Sequence, residues 1–303
     1  MDLVYFELSD RNFGDDLNGW VWDDLVPGWR DWRPGAHLMG VGTILNTGMA
    51  PPEGLKLVLG SGAGYGPLPD VTGPDWDIRA VRGPLTARAV GADDTVAQGD
   101  PAILLPRLAR FADVAKTDET LFVPHYASDV TCDWAAVCAR AGVAYQTPSD
   151  DAETVIRRIA GARRVIAESM HAAIVADAFG VPWSGVSLSA DFNAGKWRDW
   201  SASLGMDDPG IVPFYRGLRA LQRVKRRLLG SRRPRGSAAR RAEGAAGFRM
   251  ARRRKGYLEP FALRDLRRAA RGRFRLTERT ALAAAQDGLA TCFARVAADY
   301  GGT

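Results

Sequence analysis

The chain has 303 residues, 46% of them hydrophobic and 25% charged, with a formal net charge of +6. That balance excludes a wholly disordered chain, a collagen-like repeat and a disulfide scaffold, and the length leaves room for two units of about 150 residues with their own cores. No run of about 18 apolar residues occurs and residues 1–20 carry neither a basic leader nor an apolar signal core, so a cytoplasmic protein without a membrane span is expected.

From residue 1 to about 208 one rhythm repeats: a short apolar run, a turn rich in Gly, Asp, Asn or Pro, then a helical pattern. It predicts parallel sheets flanked by helices. In chain order the expected strands are LVYFEL (3–8), KLVLG (56–60), DIRAV (77–81), DTVAQ (94–98), TLFVP (120–124), VAYQ (143–146), RVIAE (164–168) and WSGVSL (183–188). Helices are expected over 84–91, 101–110, 131–141, 151–161 and 170–179. A fresh strand follows LARFADVAKTDET (108–120), which sets a boundary near 113–118. The expected organisation is an N-terminal Rossmann-like domain over 1–115, a second over 116–210, and a basic, partly mobile segment with C-terminal helices over 211–303. Periodicity returns at 276–300, where Leu282, Leu289, Phe293 and Val296 share one helical face and predict a helix docked on the body.

Charge is unevenly spread. Over 216–275, 22 Lys or Arg face only Glu243, Glu259 and Asp265, so that segment carries +19 and, the whole being +6, the rest carries −13. An anionic partner surface is implied for the segment alone. Cys132, Cys138 and Cys292 lack CxxC spacing, which fits reduced thiols and no structural zinc. No carboxylate cluster has a metal-ligand spacing, so no metal is expected.

In a doubly wound sheet ligands bind beyond the carboxyl ends of the strands, so the residues after each strand are where chemistry is sought. After the first comes NFGDDLN (12–18); one helix cap explains one polar residue, not four, so Asn12, Asp15, Asp16 and Asn18 are candidates to hold substrate hydroxyls, with Asp15 or Asp16 as base. Trp20, Trp22, Trp29 and Trp32 fit a core or a sugar-stacking face. The turn Gly60-Ser61-Gly62-Ala63-Gly64 suits an anion, because glycine lets backbone N–H groups approach; the competing reading is a tight connection. Arg82, after a strand and before the helix begun at Pro84, is expected either to clamp a carboxylate or phosphate or to form a surface ion pair. Further turns supply Asp100, His125 and Glu168-Ser169-Met170-His171. Glu168, three positions before His171, is the candidate that keeps the imidazole charged as a general acid; the competing reading is a neutral core histidine.

The ordered set NFGDDLN, VLGSG, VRGPLT, QGDPAILLP, VPHY and AESMHAAIVADAFGVP resembles the polysaccharide pyruvyltransferase family, over roughly residues 3–190. The resemblance implies an α/β fold of two Rossmann-like domains, GT-B-like, with a C-terminal helical extension. It implies transfer of pyruvate from phosphoenolpyruvate to two hydroxyls of a hexose, with a cyclic ketal formed, phosphate released and no cofactor. Arg82 and His171 match the family's functional arginine and histidine, and Ser169 and Gly62 would lie near the donor. The acceptor would be a glycan linked to polyprenyl phosphate, and the basic stretch 222–256, outside the shared pattern, would place the protein on the anionic inner face of the plasma membrane. Two other classes are weighed: a GT-B glycosyltransferase using a nucleotide sugar, and a nucleic-acid-binding protein acting through 216–275. No nucleic acid is expected, because the basic run has few aromatics and no reading motif, and the acidic body would repel a duplex.

Overall fold

The computed structural model describes residues 1–188, 192–214 and 259–302. The stretch 222–256 and most of the +19 segment lie outside the described residues. Two parallel sheets are present. The first has strands β1 (Asp2–Val4), β2 (His37–Met39), β3 (Lys56–Ser61) and β4 (Trp76–Val81), paired in that order with Val4 beside Met39, Met39 beside Val58 and Val58 beside Ile78. The second has β5 (Thr120–Val123), β6 (Ala144–Tyr145), β7 (Arg164–Ala167), β8 (Trp183–Ser187) and β9 (Val212–Pro213), in the order β6-β5-β7-β8-β9.

Helices α1 (Phe13–Asp16), α2 (Asn18–Leu25), α3 (Pro84–Ala89), α4 (Tyr126–Asp129), α5 (Trp134–Ala141), α6 (Ala152–Gly161), α7 (Met170–Ala178), α8 (Ala194–Ser203), α9 (Glu259–Ala270) and α10 (Arg279–Gly301) cover the sheets. Covering both faces of a parallel sheet demands continuous apolar strands, and the period of two sorts their residues. Leu57 and Leu59 enter one buried cluster while Val58 enters another; likewise Leu121, Val123, Val165 and Ala167 part from Phe122 and Ile166. The cluster holding Leu57, Leu59, Leu121 and Val165 joins residues of both sheets. Helix α7 is buried at all nine positions because it lies in that shared layer, against β7, β8, α6 and the 3-10 segment Pro101–Arg107 of the first half. The buried residues of α10 are Leu282, Leu289, Phe293 and Val296, the face read from the sequence, and the helix packs back on β4.

Three expected elements differ. DTVAQ is no strand: Asp93 accepts from Thr95 N at 2.8 Å and caps a 3-10 turn over Asp94–Val96, a local side-chain bond competing with ladder pairing. The expected helix over 101–110 is 3-10, Pro101–Arg107 then Ala109–Phe111, because Pro106 cannot donate and its ring clashes with the preceding turn. Strand β1 stops at Val4 because its neighbour β2 stops at Met39, before the turn Gly40-Val41-Gly42.

Candidate functional site

Strand β5 pairs with β6 on one side and β7 on the other, so the chain reverses its direction of travel across the sheet between β5 and β7. The crevice beyond such a reversal is where α/β sheets bind ligands. His125 follows β5 and His171 follows β7, and the two are near enough for His171 to act on His125. Burial, then Lys196 and His171, press His125 down to about 3, so it is neutral, with Nδ1 accepting from Ala127 N at 3.3 Å.

His171 is 8% exposed, in the first turn of α7. Its Nε2 is sealed from solvent and lies 3.7 Å from Asp100 Oδ2, a carboxylate oxygen equally sealed; neither atom has a hydrogen-bond partner. Asp100 Oδ1 is spent on Ala102 N at 3.0 Å, which orients the carboxylate. Nδ1 faces Gly14 of α1, so the ring bridges the two halves: a Cβ on Gly14 would overlap Nδ1, Cγ and the ring's own Cβ. Gly14 has no positive φ, so Ala is conformationally acceptable there and the obstacle is His171 alone. Gly14→Ala is expected to cost about 1–3 kcal/mol by overpacking, read as a lowered melting temperature.

NFGDDLN divides its labour. Asn18 is buried and fully engaged: Nδ2 donates to Asp15 O and Val41 O at 2.9 Å, and Oδ1 accepts from Val41 N at 2.9 Å and Trp22 Nε1 at 3.0 Å. Its expected role on a substrate hydroxyl is therefore corrected; with every donor and acceptor used, it fastens the 40–43 turn to α2. Asn12 Nδ2 donates to Asp15 Oδ2 at 2.6 Å, and Asn12 N to Asp16 Oδ2 at 3.3 Å. Burial raises the Asp15 carboxyl above the usual range, opposed by His171, Asn12 and Lys196; burial raises Asp16 also, opposed by Asn12 and Arg11. Of the two, Asp15 is the one on which His171 acts. Trp22 and Trp29 are fully buried core.

Glu168 is the second correction. Its carboxylate accepts from His125 N at 3.0 Å, Ser128 Oγ at 3.0 Å and Leu188 N at 2.9 Å, tying together the ends of β5, β7 and β8. Those three bonds give it a structural task, and Asp100 is the carboxylate 3.7 Å from Nε2. Ser169 is buried and precedes α7 without a side-chain cap bond.

The glycine turn is a tight connection at its centre. Gly62 N donates to Gly42 O at 2.8 Å, Ala63 N to Thr86 Oγ1 at 3.0 Å, and Ser61 Oγ to Gly40 O at 2.5 Å. Gly60 has φ +98° and a Cβ there would overlap Pro101; one on Gly62 would overlap the Arg82 guanidinium. Arg82 itself is fully buried. Its Nε donates to Asp199 Oδ2 at 3.1 Å, Nη1 to Thr43 Oγ1 at 2.8 Å and Nη2 to Ala63 O at 3.1 Å. The fork expected to reach an anion in the crevice is engaged instead by Asp199 of α8, which also accepts from Thr86 N at 2.9 Å and Thr86 Oγ1 at 2.5 Å. Helix α8 is thus pinned to the first half by a residue that charge pattern alone did not single out.

Lys196 and Asp199 escaped the sequence reading because FNAGKWRDW was assigned to no element. Asn193 ahead of AGKW, with Trp197 and Trp200 three apart, is a helix-start signal that would have found them. Among the described residues no group of three or more His, Cys, Asp or Glu is placed to hold a metal, and no helix is long and apolar enough to cross a membrane.

A family model described as polysaccharide pyruvyl transferase matches residues 59–189, from β3 through β8 and so through the crevice. The succinoglycan biosynthesis protein ExoV of Rhizobium meliloti (strain 1021) is 47% identical over 207 residues. Over these residues the chain is similar to the polysaccharide pyruvyltransferase family. The match to ExoV spans 68% of this chain and 66% of the relative, just under two thirds of that protein's length. No solved structure matches the chain.

Proposed function

We propose that the protein transfers pyruvate from phosphoenolpyruvate to two hydroxyls of a hexose in a polysaccharide or lipid-linked oligosaccharide, forming a cyclic ketal and releasing phosphate. Similarity to that family supports pyruvyl transfer over a nucleotide-sugar reaction. The observation that carries the chemistry is His171, held at the sheet reversal with one nitrogen sealed against Asp100 and the other beside Gly14 and Asp15. A GT-B-like pairing of Rossmann units over 1–115 and 116–210 belongs to the same reading.

The enol carbon of phosphoenolpyruvate becomes electrophilic only when its methylene gains a proton. His171 supplies that proton through Nδ1, while Asp100 accepts from Nε2–H as the two close, fixing the ring. One sugar hydroxyl adds to the central carbon and gives its proton to Asp15 as base; the raised carboxyl makes it a more willing acceptor. The carbon–oxygen bond to phosphate breaks, the second hydroxyl closes the ring, and its proton leaves with phosphate. No cofactor is needed by this route. Phosphate release from phosphoenolpyruvate with a panel of galactosides, glucosides and mannosides tests it; nucleotide diphosphate released from a sugar nucleotide, with phosphoenolpyruvate inert, would reject it.

Asp100→Asn keeps the shape and the bond to Ala102 N but removes the charge facing Nε2. Turnover is expected to fall by about 10–100-fold with donor affinity little changed; an unaltered rate would leave Asp100 only its capping role. The basic segment supports attachment to anionic lipid, at about 1 kcal/mol per basic residue near the surface, diminished by salt. At low salt anionic vesicles should pellet the protein and neutral ones should not; equal recovery with both would reject attachment.

A further inference from the structure

With Arg82 bound to Asp199, Thr43 and Ala63 O, and the Gly62 and Ala63 amides spent within the fold, the crevice needs another source of positive charge for a donor carrying carboxylate and phosphate. Helix α8 brings one. Asn193 caps it, its Oδ1 accepting from Gly195 N at 3.0 Å and Lys196 N at 3.4 Å, while its Nδ2 donates to Gly64 O at 2.9 Å. One residue thus starts the helix and pins it to the glycine turn.

Lys196 follows in the first turn of α8. Its Cγ lies 3.4 Å from where a Gly64 Cβ would stand, so the stem runs against the glycine turn, and its Nζ lies 4.8 Å from the Tyr65 ring centroid. No Asp or Glu among the described residues forms an ion pair with it. A Gly64 Cβ would stand 3.3 Å from Thr43 Cγ2 as well, and a Gly42 Cβ 3.3 Å from Asp15 Oδ1, so the stem of Lys196 lies along the turn that borders Asp15; its charge bears on Asp15 and on His125. A half-buried lysine without a carboxylate partner among the described residues, its stem against the glycine turn, is suited to a compact, highly charged oxyanion.

We propose that Lys196 is the cation that holds the donor's phosphate group. The assignment rests on the phosphoenolpyruvate reading and names the residue that binds the leaving group: Lys196 meets the phosphate in the bound donor and keeps its negative charge stabilised as the carbon–oxygen bond breaks.

Differential amine acetylation of the whole wild-type protein, followed by peptide mass spectrometry, tests this independently of turnover, with Lys116 as the internal reference. Saturating inorganic phosphate should slow modification of Lys196 at least tenfold and leave Lys116 unchanged; equal labelling of Lys196, or protection by pyruvate but not by phosphate, overturns the assignment. In kinetics, Lys196→Met should raise the KM for phosphoenolpyruvate tenfold or more, and Lys196→Arg should recover most of it. A KM unchanged in a folded Lys196→Met overturns it as well. Phosphate protection in a protein that releases no phosphate from phosphoenolpyruvate would sink the donor reading and keep the phosphate site; normal release without protection would sink Lys196 alone.

Discussion

His171→Gln should lower the rate of phosphate release from phosphoenolpyruvate by about 10²–10⁴-fold, the usual worth of a positioned general acid, or about 2.7–5.4 kcal/mol in the barrier. Gln is close to the ring in length and can still donate a hydrogen bond, but it cannot deliver a proton to carbon. The loss should therefore fall on kcat, with the affinity for phosphoenolpyruvate little altered and the melting temperature near that of the wild type. The expectation follows from the site's geometry: a ring 8% exposed, with Nε2 sealed against Asp100 and Nδ1 in the space that Gly14 leaves open. Shielding matters because a proton bound for carbon must not be lost to water. Turnover within a few-fold of wild type would remove the imidazole as the proton source and leave Asp15, whose carboxyl burial has raised, as the next acid to examine.

How much of this was legible in the chain differs by the range of the interaction. Strands β3, β5, β7 and β8 and helix α7 announce themselves because a buried parallel sheet needs unbroken apolar runs, and glycine or polar turns mark where they end. The face of α10 was equally plain, since four apolar residues at helical spacing dictate which side is buried. Strands β2 and β9, of three and two residues, carry no periodicity to read. The turn residues gathered near the β5/β7 reversal were found for a topological reason, but their partners were not. Glu168 and His171 are close in sequence, yet the carboxylate turns to the amides of His125 and Leu188, and Asp100 comes from the other half to face the imidazole. Proximity along the chain misled there because Glu168 ends a strand, where neighbouring strand ends offer backbone donors.

The Arg82–Asp199 pair shows the same limit at a separation of 117 residues, and it yields the largest expected effect on stability. With side chains 0% and 3% exposed, the two charges are removed from water together. Such a pair is weak evidence of net stabilisation, but deleting one member strands the other and costs about 3–5 kcal/mol. Asp199→Ala should cost that much, because it also strips Thr86 N and Oγ1 of their acceptor; at about 2–4 °C per kcal/mol the melting temperature falls by roughly 10 °C. The double variant Arg82→Met with Asp199→Leu should lose less than Asp199→Ala alone, since no unpaired buried charge remains. Donor binding separates the two roles open to Arg82. If its fork holds phosphoenolpyruvate directly, freeing it from Asp199 leaves donor affinity intact or strengthens it. If it fastens α8 to the glycine turn, Asp199→Ala lets the helix shift and carries Lys196 away from the crevice, so the KM for phosphoenolpyruvate rises along with the loss of stability. The second outcome is expected, because each of the three guanidinium nitrogens already donates within the protein. A variant that melts like the wild type would overturn the buried pair itself.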